Sequence, residues 1–204
     1  MINNYEALDL GRYMKIDHIL HTPQEEIDKQ VQIIAILADM TEEDVLQLPL
    51  ADYSAMALQA AFLGDHCEPA EVDGKPIQAG EFLLVPTSDF TKITTAQYVD
   101  FQTFVKDFPA TLPQLLSCFL VPDGKKYNNG YDVAQVQEAV RCITLPQAIG
   151  LTAFFFKRFN ESIVDSVTSL AQSARKNPRK MKELKKILQQ VEMVSRDIGA
   201  GLPM

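Results

Sequence analysis

The chain reads as a mainly α protein, a multi-helix globular bundle with one small β-hairpin insertion at about residues 69–87. Three observations predict it. Helix starts recur as Thr or Asp caps, each followed by apolar residues at the helical period. That period is lost over residues 69–87, where Asp73-Gly74, Gly80 and Pro86 bracket a strand-like run. With 204 residues and a hydrophobic fraction of 47%, the chain can bury a core without disulfides or metal. The reading is one mainly helical domain over residues 1–177, with a basic amphipathic helix at residues 178–204 as an appendage.

Each element has its own signal. Thr22-Pro23-Gln24-Glu25 has the pattern of a capping box with proline in the first turn, which predicts a helix over 23–39 with Ile27, Val31, Ile34 and Ala38 on its buried stripe. Thr41-Glu42-Glu43-Asp44 caps a short turn over 45–48 that stops at Pro49. A third helix, 51–63, places Tyr53, Met56, Ala57, Ala60 and Ala61 inward, and Gly64 ends it in a left-handed conformation. In the insertion Asp73-Gly74 is the turn dipeptide, Glu81-Phe82-Leu83-Leu84-Val85 is the strand, and Pro76 weakens the other limb. Thr94 and Gln97 cap a helix that turns Tyr98, Phe101, Phe104 and Val105 inward and ends near Asp107. Residues 112–121 form the next apolar segment, closed by Pro122-Asp123-Gly124. Asp132 caps a short helix carrying Val133, Val136, Ala139 and Val140. Thr144-Leu145-Pro146-Gln147 opens the longest helix, which runs to about residue 174 with Ile149, Ala153, Phe156, Ile163 and Val167 near its buried side, before Pro178 interrupts it. The Phe154-Phe155-Phe156 run spans most of a helix circumference and reads as core filling.

Charge and motif content argue against chemistry. The net charge of −8 opposes a general nucleic-acid binder. No phosphate-binding glycine motif and no GxSxG occur. The 123–132 loop has calcium-loop composition, yet a calcium register puts Lys125, Tyr127 and Val136 at ligand positions, so a polar turn is the better account. His18, His21, His66 and Cys67 are metal-capable, but nothing in their spacing brings them together. Cys67, Cys118 and Cys142 lack a CxxC pair, and the last two sit in apolar helical patterns, so they read as reduced, buried thiols. Acidic pairs such as Glu25-Glu26 and Glu42-Glu43-Asp44 favour the positive end of a helix dipole. The N-terminus has no secretory pattern, and the most apolar stretch, residues 148–156, is half the length of a membrane span. The expectation is a soluble, cytoplasmic, non-enzymatic protein with no cofactor and no metal.

The C-terminal part differs in charge. Residues 157–204 hold ten basic and five acidic side chains, against nine and 22 in the first 156. Met181, Leu184, Leu188 and Val191 form a narrow apolar stripe with Ile187 and Val194 beside it, flanked by Arg179, Lys180, Lys185 and Lys186. These ten residues are the candidate partner-binding set. The basic run is compatible with a solvated helix face, with docking on an acidic protein surface of its own chain or of a partner, or with a phosphate backbone. Two heptads are too few to specify a coiled coil.

Four segments carry a resemblance. QIIAILADMTEEDVLQLPL, then ITTAQYVDFQTFVKD, LLSCFLVPDGKKYNNGYD and LPQAIGLTAFFFKRF, resemble in order small helical proteins encoded in the tail and structural gene modules of tailed bacterial viruses and prophages. The resemblance covers about residues 24–160 and is one of pattern. It implies a tail assembly chaperone, a protein that binds the helical tape-measure protein before tube subunits polymerise around it. It carries no functional residue onto a position of this chain. The expected partner is a tape-measure or other tail protein, with self-association into a homo-oligomer as a further option. The alternatives are a structural component retained in the virion, and an enzyme with an unrecognised site.

Overall fold

In the computed structural model the described residues are 1–174, with side chains described to residue 162. The architecture is mainly helical with a small antiparallel sheet. A 3-10 turn at Tyr5–Ala7 leads into α1 (Leu10–His21), α2 (Glu26–Ala38), α3 (Glu42–Leu46) and α4 (Leu50–Gln59), which continues as a 3-10 turn, Ala60–Gly64. Strands β1 (Ile77–Ala79) and β2 (Phe82–Pro86) follow. Then come α5 (Thr95–Phe104), α6 (Leu112–Ser117), β3 (Leu120–Pro122), α7 (Val133–Val140) and α8 (Leu145–Ala174).

The long helix α8 organises the core. Leu145, Ala148, Leu151, Thr152, Phe155, Phe156 and Phe159 are buried at helical spacing. Phe155 meets Phe90 and Phe119, and Phe159 meets Phe90 and Phe101, with ring centroids 4.9 to 6.3 Å apart and tilted or edge-on planes, the geometry that aromatic quadrupoles favour. The sheet, in order β1-β2-β3, covers this cluster, with Leu84 and Leu120 fully buried. The chain start closes the body: Leu10 N–H donates to Ile143 O at 2.8 Å, Gly11 N–H to Arg141 O at 2.9 Å, and Leu145 N–H to Leu8 O at 2.8 Å. A second, smaller core of Val31, Ile34, Ala35 and Val45 joins α2 to α3, with Tyr53, Met56 and Ala57 of α4 packed on it.

Several expectations hold in detail. Thr41 and Asp44 make a reciprocal capping box, and so do Thr94 and Gln97. Thr144 and Gln147 exchange the same two bonds at 3.1 and 3.4 Å, and α8 spans Leu145–Ala174. Asp132 caps α7, though by accepting from Ala134 N–H.

Other expectations are corrected. The pattern at Thr22 does not start a helix; it ends one. Helix α1 was not anticipated, and it runs to His21. The Thr22 N–H donates to Ile19 O and its hydroxyl donates to His18 O at 2.8 Å, so the side chain is turned back onto α1 and accepts no bond from α2. That helix begins at Glu26 without a side-chain cap, and Ile27, expected inside, is 57% exposed. Gly64 does not take a left-handed φ. The hairpin turns at Gly80-Glu81, with Ala79 opposite Phe82 and Gly80 at φ +54, as a two-residue turn with glycine first requires. Asp73-Gly74 makes a separate turn upstream, where Asp73 accepts from Lys75 N–H. Residues 112–121 divide into α6 and the unforeseen third strand β3, whose Val121 pairs with Val85. Tyr98 is exposed because Gln97 and Phe101, four apart, are the pair that α5 buries. Ala61 and Ala153 are exposed, and so is Cys142; Cys67 is half-buried, and only Cys118 is the buried thiol expected. Ile163 and Val167 lie outside the described side chains.

Candidate functional site

Helix α1 supplies one wall of a cleft of about 700 Å³. Its lining residues Leu10, Tyr13, Met14, Asp17, His18 and His21 are spaced 3, 1, 3, 1 and 3 apart, the stripe that one helix face presents. The opposite wall is Leu145, Ile149 and Thr152 of α8, one and two turns apart, with Leu112 at the start of α6. Phe108, Pro109 and Ala110 form the end wall, where the Phe108–Pro109 peptide is cis.

The α1 stripe is graded along its length. Leu10 is fully buried, Tyr13, Met14 and Asp17 are half-buried, and His18 and His21 are exposed at the mouth. The cleft therefore has an apolar floor and a polar rim. Burial raises the Tyr13 phenol above its ordinary value, with the Asp17 and Cys67 charges acting in the same direction, so the group is a neutral hydroxyl at pH 7. His21 Nδ1 lies 2.8 Å from Asp17 O and 3.5 Å from its carboxylate, which ties the rim to the last turn of α1. Thr152 donates its hydroxyl to Ala148 O at 2.7 Å, four residues back in the same helix, so its proton is committed to backbone.

Among the described residues that line the cleft there is no cysteine or serine, and Asp17 is the one carboxylate. Among the described residues no three of His, Cys, Asp and Glu stand together as metal ligands. His18 and His21 share the α1 rim, while His66 lies 3.8 Å from the Glu68 carboxylate on the exposed segment after Gly64. Cys118 is buried on another side of the core, where burial pushes its thiol up to about 12; the Tyr127 hydroxyl 3.9 Å away opposes that rise only in part. A thiol so placed stays protonated and unreactive at neutral pH. The arrangement suits the uptake of apolar groups.

The sequence-predicted binding set, Arg179, Lys180, Met181, Leu184, Lys185, Lys186, Ile187, Leu188, Val191 and Val194, lies outside the described residues. The cleft residues were missed. Asp9, whose side chain accepts from Arg12 N–H at 2.7 Å, followed by Leu10, Tyr13, Met14 and Asp17, was the available signal for α1 and its stripe. Residues 108–110 gave no signal, because their position depends on α5 and α6 packing together.

No family model, no curated protein and no solved structure matches the chain. Among the described residues, no helix is long and apolar enough to cross a membrane.

Proposed function

We propose that this protein is a non-catalytic assembly protein of a phage or prophage tail module, and that its α1–α8 cleft receives an apolar ridge of a partner helix, such as a tape-measure segment. The carrying observation is the cleft itself: about 700 Å³, walled by Leu10, Met14, Ile149 and Leu112, with hydrogen-bonding side chains at Tyr13, at the rim and at Thr152, whose proton is given to Ala148 O. That division suits an amphipathic helix, whose apolar side chains enter the floor while its polar flank meets Asp17, His18 and His21. Large apolar side chains gain roughly 1.5–3 kcal/mol each on burial. Association costs remove much of that gain, so one cleft binds weakly and several copies along a long helix bind well. The resemblance of four segments to tail-module proteins supports the choice of partner.

The test is a binding titration of the full chain against helical tape-measure fragments. Met14→Glu and Ile149→Glu place a charge on the two walls and should each weaken binding by about tenfold or more. Lys15→Glu, on the exposed side of α1, should leave it within about twofold. Unchanged binding by both wall variants overturns the role of the cleft. Recovery of the protein in many copies from mature particles, by mass spectrometry, would favour a virion component over a chaperone.

A further inference from the structure

Helix α4 is apolar on both sides, and the described residues cover only one. At 3.6 residues per turn, Tyr53, Met56 and Ala57 share the arc that packs on α2 and α3. Leu50, Ala51, Ser54, Ala55 and Leu58 share the opposite arc, and all five are exposed. Leu50 and Leu58 expose 79% and 78% of their surface, and Leu46 at the end of α3 exposes 68%. Large apolar side chains exposed side by side mark a surface built to be covered.

The charge around the ridge selects what covers it. Nine Asp and Glu residues but no Lys or Arg stand between Lys29 and Lys75. Glu42 and Glu43, one turn before Leu46 on α3, and Asp52 in the first turn of α4 form no ion pair among the described residues. The complementary sequence is in the same chain. Residues 175–204 contain eight Lys and Arg against three Asp and Glu, and at helical spacing they place Met181, Leu184, Leu188 and Val191 in one line. These 30 residues begin directly after Ala174. They can reach ~100 Å when extended and ~45 Å as a helix, enough to cross a small domain of about 30 Å. We infer that the basic terminal segment, residues 175–204, docks on the acidic leucine ridge of α3 and α4 in its own chain, its apolar stripe on Leu46, Leu50 and Leu58 and its lysines toward Glu42, Glu43 and Asp52. This does not depend on what the α1–α8 cleft binds.

Carbodiimide coupling, which joins a lysine amine directly to a carboxylate, tests this on the full chain. An equal mixture of ¹⁵N-labelled and unlabelled protein should yield peptide pairs that join Lys180, Lys182, Lys185 or Lys186 to Glu42, Glu43, Asp44 or Asp52 within one isotopic population. Pairs of which about half are of mixed isotope, the share that random pairing of two copies gives, would mean a second copy and overturn the inference. Lysines that couple only to carboxylates elsewhere, or not at all in the purified protein, would also overturn it. In the double variant Leu50→Ser/Leu58→Ser, which alters exposed positions only, the yield of these pairs should fall about tenfold, the factor that corresponds to losing 1.4 kcal/mol of docking. An unchanged yield would show that the ridge is not the contact.

Discussion

Two glutamines show how much one buried amide can decide. Gln97 Oε1 accepts from Thr94 N–H at 2.9 Å while its Nε2 donates to Cys118 O at 3.0 Å. One side chain thus completes the cap of α5 and ties that helix to the segment between α6 and β3. Gln114 has the opposite situation: its Oε1 is buried with no hydrogen-bond partner among the described residues. Removing a satisfied buried partner costs ~1–3 kcal/mol, whereas removing an unsatisfied acceptor can be neutral or stabilising. Urea unfolding should therefore place Gln97→Leu well below the wild type, lower than Thr94→Ala at ~1 kcal/mol. Gln114→Leu should match or exceed the wild type. The Gln97 cap was legible in the sequence because Thr94 lies three residues away. Its bond to Cys118, 21 residues on, was not, since no local pattern encodes that approach.

At the scale of elements, α8 and the segment that precedes β1 meet in a close junction. A Cβ added at Gly150 would collide with Ala70 O, which is backbone and cannot swing aside. Ala70 N–H also donates to Pro146 O at 2.9 Å, so the segment is held against the first turns of α8. Gly150→Ala should destabilise by ~1–3 kcal/mol through overpacking, despite the higher helix propensity of alanine, and a thermal or urea melt reads the sign. The sheet shows a related dependence on surroundings. Leu120–Pro122 sits in an apolar run that suits a helix as well as a strand, and it becomes β3 because β2 offers an edge to pair with.

For the whole molecule, the division into two cores has a dynamic consequence. The larger core joins α1, α5, α6, α7, α8 and the sheet, and the start of the chain is bonded into it at residues 141–145. The smaller core holds α3 and α4 onto α2, and α4 has no fully buried residue. Regions with few buried contacts open locally at a lower free energy than the global unfolding step. Native-state hydrogen exchange should find the α4 amides opening before those of α8 over residues 145–159; equal protection in both would mean that the smaller core unfolds only with the whole. What the sequence settles alone is what lies within about one helical turn: the caps Thr41–Asp44, Thr94–Gln97 and Thr144–Gln147, and with the last of these the start of α8. There donor and acceptor are close along the chain, and little loop entropy stands between them. Tertiary contacts decided the rest. Thr22 closes α1 because α1 gains the burial of Leu10 and Ile16, which outweighs a cap for α2. The hairpin turns at Gly80 because the register puts Leu84 into the core. The cleft exists because α1, α8 and residues 108–110 meet from three distant parts of the chain. Burial is shared among residues far apart in sequence, so its outcome is set by which competing surfaces find each other, a comparison no local window contains.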